Sequence, residues 1–229
     1  MNNQPSSSSC LYVSWLSPSS RAIQLFLTEK QVEYRVEVEK TWEYRNNFLA
    51  INPACEVPAL VYHDRQVLCG HGAIAQYVEE YVPSPSLLGT TAPARAEIRR
   101  LTDWFDQKFY REVTDKLVGE KIIKRLSGHG EPQATAIRAG LQNIHMHLEY
   151  IGWLAERRRW LAGDLISMAD FMAASQLSCV DYLGDVPWEK HQAAHDWYAR
   201  IKSRPSFRII LAERVPGYHP VAHYENLDF

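Results

Sequence analysis

Cysteine is scarce and unpatterned. The 229-residue chain has four, Cys10, Cys55, Cys69 and Cys179, and no two stand in CxxC spacing. Three sit among apolar neighbours, so reduced, mostly buried thiols and a cytoplasmic protein are expected. Net charge is equally small. It is −2, and the basic residues are scattered, which argues against a nucleic-acid footprint. The densest basic group, Arg157-Arg158-Arg159, is expected to end a helix, where cations complement the helix dipole. No apolar run approaches the ~18 residues of a membrane span. Met1 to Ser9 is polar and serine-rich, lacks the charged start and apolar core of a signal peptide, and reads as a flexible lead-in. Internal repeats are absent. The histidines fall in pairs, His145/His147, His191/His195 and His219/His223, short of the three or four ligands of a zinc site. They are expected on the surface, with no metal bound. What the chain does have is apolar content. At 46% hydrophobic it can bury a proper core, in one large domain or two small ones.

The order of elements is legible. Leu11-Tyr12-Val13 reads as a short buried strand, with Tyr12 in the core. Ser17-Pro18-Ser19-Ser20 is turn-like and can cap a helix carrying Ile23, Phe26 and Leu27 at helical spacing. Val32, Tyr34, Val36 and Val38 alternate with charged residues, as in a half-exposed strand. Phe48, Leu49 and Ile51 suggest a short helix. Ala59–Tyr62 and Gln66–Cys69 form a hairpin, and a helix follows from Gly72 to Tyr81. The order βαβαββα predicts a small mixed sheet with helices on its faces. The prolines and serines after Val82 mark a linker. Everything beyond reads as helix, over roughly 93–126, 132–159, 167–183, 188–203 and 205–213. The predicted division is therefore 1–82 (with 1–9 the lead-in), a linker at 83–92, and an all-α part at 93–229 with a distinct tail at 216–229.

Two motifs stand out within this frame. Asn52-Pro53-Ala54-Cys55-Glu56-Val57-Pro58-Ala59-Leu60 opens an apolar strand on a proline, which cannot donate to a sheet ladder. Such a proline belongs on an edge or in a tight turn, often after a cis bond. A cis Val57-Pro58 bond would leave the Val57 backbone facing outward, free to pair with an extended ligand. The second motif is Ser167-Met168-Ala169-Asp170. Ser167 and Asp170 make a capping box, flanked by Ile166 and Phe171 as a hydrophobic staple. Its expected role is to start a helix, not to do chemistry. Losing the Ser167 cap should cost about 1 kcal/mol.

Together these features resemble the glutathione transferases. The resemblance rests on Asn52-Pro53 through Leu60, on Ala73-Ile74-Ala75-Gln76-Tyr77, on Leu161–Asp170 and on Arg204-Pro205-Ser206-Phe207. It implies an α+β thioredoxin-like first domain followed by an all-α domain, and it implies a homodimer. Fold alone does not decide function. In that family the backbone before the cis proline holds the cysteinyl part of glutathione, and Val57 and Pro58 match it. A Glu/Gln-Ser pair at the next helix start holds the γ-glutamyl end. Here the pair falls on Gly70 and His71. Glycine offers nothing to an ammonium group, a loss of about 1.5–3 kcal/mol, or roughly ten- to a hundred-fold in affinity. His71 could still donate to a carboxylate, or be simply a polar helix-start residue. The family's thiolate-activating residue would be Ser17, with Ser14 or Ser19 possible, and each also reads as a turn or cap residue. Glutathione is thus implied at most as a weak ligand or co-substrate.

Trp42, in Thr41-Trp42-Glu43-Tyr44-Arg45, reads equally as an exposed partner anchor or as a lid or dimer contact. Asp103 and Asp106 either line an interdomain cleft or form a solvated helix face. The tail, aromatic and mildly acidic, either packs over the cleft or presents a docking surface. The missing Glu-Ser pair, the Trp42 segment and the tail His223-Tyr224-Glu225-Asn226-Leu227-Asp228-Phe229 are similar to one branch of the family, made of bacterial cell-division proteins. That likeness implies binding to filaments of FtsZ, their curving and bundling, and a place at the division site. Trp42, Leu227, Asp228 and Phe229 are then the expected protein-binding residues.

Overall fold

The computed structural model describes residues 9–63 and 66–227. Four strands between Ser9 and Cys69 form one sheet of order β2-β1-β3-β4. Strand β1 (Ser9–Val13) runs parallel to β2 (Tyr34–Val38) and antiparallel to β3 (Ala59–Tyr62), which pairs antiparallel with β4 (Gln66–Cys69). The central register sets Leu11 against both Val36 and Leu60, and Leu60 against Leu68. Helices α1 (Pro18–Glu29), α2 (Asn46–Leu49) and α3 (His71–Tyr81) complete the βαβαββα order.

One apolar core runs from α1 and the sheet into the helices beyond, through Phe26, Leu60, Phe105, Met172 and Leu177. A small second cluster of Phe48, Cys55 and Ala59 lies apart from it. Tyr12 belongs beside this second cluster: it is half-buried against Phe48, at 5.4 Å between rings, and not in the main core. The edge strand β2 is more open than its alternation implies. Val36 and Val38 are 41% and 42% exposed, because α1 packs under β1 and leaves the outermost strand uncovered.

The segment after α3 is held at both ends. Lys30, its side chain buried, donates to the carbonyls of Val82 and Pro85 at 2.7 and 2.6 Å, and the Glu79 carboxylate accepts from the amides of Leu87 and Leu88. Helix α4 (Ala92–Asp103) then passes into a π-helical run, Trp104–Ile123, and a last turn, α5 (Lys124–Leu126). The buried residues of that run explain the wider winding. Phe105, Phe109, Val113 and Leu117 recur every four residues, with Thr114, Val118 and Ile122 buried beside them. That period is longer than the 3.6 of an α-helix and suits i→i+5 bonding.

Helix α6 (Ala134–Ala155) crosses this run closely. A Cβ on Gly140 would stand 2.9 Å from Leu117. Since α6 ends at Ala155, Arg157-Arg158-Arg159 lies beyond the helix. Arg158 instead bonds Glu97 and the carbonyl of Leu161. The one isolated bridge among the described residues, Trp160–Gly163, follows in a stretch expected to be free of strand. Helices α7 (Met168–Asp181), α8 (Gln192–Lys202) and α9 (Arg208–Leu211) complete the bundle, with 3₁₀ turns at Trp188–Lys190 and Pro205–Phe207 standing where the sequence predicts longer helices.

The capping box is formed and extended. Asp170 is fully buried. Its Oδ2 accepts from the amide and hydroxyl of Ser167, and its Oδ1 accepts from the Leu161 amide and the Trp197 indole. As far as Leu227, the tail packs on α7 and α8, and no described residue of it lines the main cleft. Tyr224 is fully buried, edge-on to Tyr182 at 5.2 Å, and Lys202 donates to the His223 carbonyl. Leu227, expected on a docking surface, is half-buried against the main core. Asp228 and Phe229 lie outside the described residues, as do Met1–Ser8 of the lead-in.

The histidines are not all on the surface. His147 is fully buried. Its Nδ1 accepts from the Trp104 indole at 3.2 Å, so the ring proton is on Nε2 and donates to Glu112 at 3.1 Å. Burial lowers its pKa, with Glu112 pulling the other way. His145 of α6 meets His191, the residue before α8, at 2.8 Å, a contact that spacing along the chain cannot reveal. Among the described residues no group of three or more His, Cys, Asp or Glu could hold a metal ion.

Candidate functional site

The turn after β1, the N-terminus of α1, the Thr41–Glu43 turn, the Val57-Pro58 loop and the π-helical run enclose a cleft of about 480 Å³. Proline at the first turn of α1 and a serine before it place the loop. Ser17 caps the helix, its Oγ accepting from the Ser20 amide at 3.4 Å, and it also faces the cleft. The cap and the cleft roles are therefore compatible. Ser19 Oγ lies 3.4 Å from Ser17 Oγ and donates to the Val57 carbonyl at 3.4 Å. Ser14 is buried at the back of the same loop, where its carbonyl accepts from the Ser17 amide. Spacing along the chain does not choose among the three serines. The structure brings all of them to one wall.

The Val57-Pro58 bond is cis. No described backbone group pairs with the Val57 amide, and Val57 is among the residues that line the cleft. The Pro58 carbonyl accepts from the Gly70 amide at 2.9 Å and so ties the cis-proline strand to the start of α3. Gly70 has φ +82° and ψ 146°, and a Cβ there would meet nothing within 4 Å. There is room for a side chain, but the backbone sits where only glycine is unstrained. His71 opens α3. Its Nδ1 is 3.8 Å from Asp106 Oδ1, and it lines a smaller recess of about 230 Å³ with Arg99 and Asp103.

The two aspartates weighed together in the sequence thus separate. Asp106 and Tyr110, four residues apart on the wide π-helical run, reach the main cleft, and Asp103 turns to the recess. Burial pushes the Asp106 carboxyl up, His71 pulls it down, and Asp103 pushes it up again. Trp42 lines the cleft half-buried, its ring 6.3 Å from that of Trp15. Trp15 and Tyr110 carry no distinguishing sequence signal; both are ordinary aromatics until the fold places them. Cys55 also faces the cleft, but burial pushes its thiol up and its Sγ donates to the Thr41 carbonyl at 3.3 Å. It is no activated nucleophile.

Residues 16–81 match the N-terminal domain of glutathione S-transferases, and residues 130–205 match the C-terminal domain. A relative from Caulobacter vibrioides, FtsZ-localized protein A, is 47% identical over 217 residues, covering 93% of this chain and 95% of that protein. The chain belongs to the glutathione S-transferase family. Its fold agrees closely with solved members. A glutathione S-transferase from Rhodospirillum rubrum superposes with TM-score 0.94 at 51% identity, covering 96% of this chain and 100% of that one. FzlA from C. crescentus does so with TM-score 0.93 at 45% identity, covering 97% and 100%.

Glutathione, the co-substrate that names the family, fits this cleft only in part. The Val57 backbone, without a described partner for its amide, and the serines suit its central residue. Glutathione also carries two carboxylates. The described residues lining the cleft include Glu56 and Asp106 but no lysine, arginine or histidine. Arg45, close in sequence, is engaged by the buried Glu39.

Proposed function

We propose that this family member is a cell-division protein that associates with FtsZ filaments in the cytoplasm at the division site and promotes their curving and bundling. The supporting observation is the near full-length similarity, at 47% identity, to FtsZ-localized protein A. The glycine at position 70 agrees with it, since the fold is kept while a side chain for an ammonium group is missing. A homodimer would present each docking patch twice, so that one particle bridges two filaments with avidity. Neither nucleic acid nor a metal has a part in this reading. Among the described residues no helix is long and apolar enough to cross a membrane.

Co-sedimentation with polymerised FtsZ tests it. The protein is expected in the pellet with filaments and in the supernatant without them. Changing Trp42→Ala together with Asp228→Lys is expected to cut the pelleted fraction about tenfold, the loss of an aromatic anchor and a reversed charge. Wild-type protein left in the supernatant at micromolar concentrations would defeat the reading. Pelleting undiminished by the double change would place the docking surface elsewhere, away from Trp42, Leu227, Asp228 and Phe229.

A second reading, a glutathione transferase or glutathione-dependent isomerase, is supported by the Ser17–Ser19–Val57 arrangement. On it, Ser17 would hydrogen-bond and stabilise the thiolate. Calorimetric titration with glutathione separates the two. No saturable heat up to millimolar ligand is expected on the first reading. Micromolar binding, with conjugation of an aryl halide that disappears in Ser17→Ala, would favour the enzyme.

A further inference from the structure

The chemistry of the cleft wall points away from an anion. Trp15 and Trp42 stand 6.3 Å apart with their planes 38° from parallel, and the side chain of Tyr110, 43% exposed, faces the same space. Aromatic faces attract cations through the ring quadrupole. Two carboxylates, Glu56 at the exposed rim and Asp106 deeper in, share the wall. Asp106 accepts no hydrogen bond from the described residues. Its ion partner is His71, at 3.8 Å, and Asp103 adds a like charge behind it. No lysine or arginine among the described lining residues offsets these charges. A partly buried carboxylate that accepts no hydrogen bond carries a desolvation cost that His71 offsets only in part, and a cation entering the cleft would offset more of it. Ile123 and Val57 supply an apolar floor, and the volume suits a small ligand.

We propose that this cleft binds an organic cation, an ammonium or guanidinium group on an apolar stem, with the head at Asp106 and the stem lying against the paired Trp15 and Trp42 rings and Ile123. Trp42 belongs both to this cleft and to the proposed docking surface, but the test of cation binding needs no FtsZ. The same chemistry occurs in a free diamine and in a lysine side chain, and the probes separate these sources.

Full-length protein is titrated at low salt with putrescine, with agmatine and with N-acetyl-lysine N-methylamide, followed by tryptophan fluorescence and calorimetry. The neutral 1,4-butanediol and the anionic succinate serve as matched controls. The cations are expected to saturate, at least about tenfold more tightly than either control. Saturation by the diamine or agmatine alone assigns a free ligand, and by the blocked lysine alone a protein side chain. In Asp106→Asn the cation affinity is expected to fall about tenfold, while Asp106→Glu retains most of it. No saturable binding of any cation up to millimolar, or equal binding of butanediol or succinate, would overturn the proposal. Should an Asp106 variant fold poorly, the ranking of cations against butanediol and succinate on the wild-type protein still decides between these outcomes.

Discussion

Replacing Asp170 with alanine is expected to lower the unfolding free energy by about 3–5 kcal/mol, the range for removing one partner from a buried charged network. The cause is the number of donors left behind. The amides of Leu161 and Ser167, the Ser167 hydroxyl and the Trp197 indole all converge on this one carboxylate. In the alanine variant each becomes a buried polar group without a partner. Ser167→Ala should cost less, about 1 kcal/mol, because only the cap is lost. Burial pushes the Asp170 carboxyl up to about 6, against the pull of its donors. A folded value above the unfolded one, near 4, means that stability from this group falls as pH rises between about 4 and about 6. Urea unfolding is therefore best measured at pH 7.5, above that window, where the carboxylate is charged in both states. A loss below about 1 kcal/mol would show that the clamp behaves like a surface pair and that packing alone holds α7.

Arg21→Met is the second large effect. Arg21 is fully buried in α1, and it reaches out of its own helix to Ser178 of α7 at 2.8 Å and to Glu213, just beyond α9, at 3.1 Å. Glu213 also accepts from the Leu16 amide at 2.7 Å, at a residue with φ +50°. This carboxylate therefore holds the turn that carries Ser14 and Ser17. Methionine fills the volume but leaves Glu213 without its cation, at an expected cost of about 3 kcal/mol. An effect on the site should accompany the effect on stability. Hydrogen exchange at the Leu16 amide is expected to speed up in Arg21→Met more than at amides in the middle of α7. Uniform acceleration across both would mean that Arg21 acts on global stability only, with no part in shaping the cleft.

Much of this architecture is visible in the chain. Alternation and turn residues locate the strands and their hairpin, and proline and serine mark the starts of α1 and α7. These are local signals, set by backbone stereochemistry and by satisfaction of helix-end amides, and they survive without tertiary context. The differences share another cause. Position in a strand puts Tyr12 in the core, but its face of the strand meets only the small cluster around Phe48. The long helix after the linker reads as α-helix, whereas from Trp104 to Ile123 it is wound as a π-helix, with Phe105, Phe109, Val113 and Leu117 buried at four-residue spacing. His147 gives no sign in sequence that Glu112 and Trp104 will enclose it.

The cleft divides in the same way. The backbone elements of the site, the cis-proline loop and the glycine before α3, are legible because proline and glycine restrict or free the chain itself. Which side chains surround Val57 is not. Trp15, Trp42, Asp106 and Tyr110 come from three separate segments, and their meeting depends on how α1 and the π-helical run pack across the shared core. By itself, the sequence determined the order of elements, the capped helix starts and the absence of a side chain at Gly70, since each is a property of a few adjacent residues. Only the tertiary structure decided that the cleft wall is aromatic and acidic, and that the tail is anchored on α7 and α8. Burial and charge environment are properties of neighbours in space, and those neighbours lie up to two hundred residues apart along the chain, as Leu16 and Glu213 do.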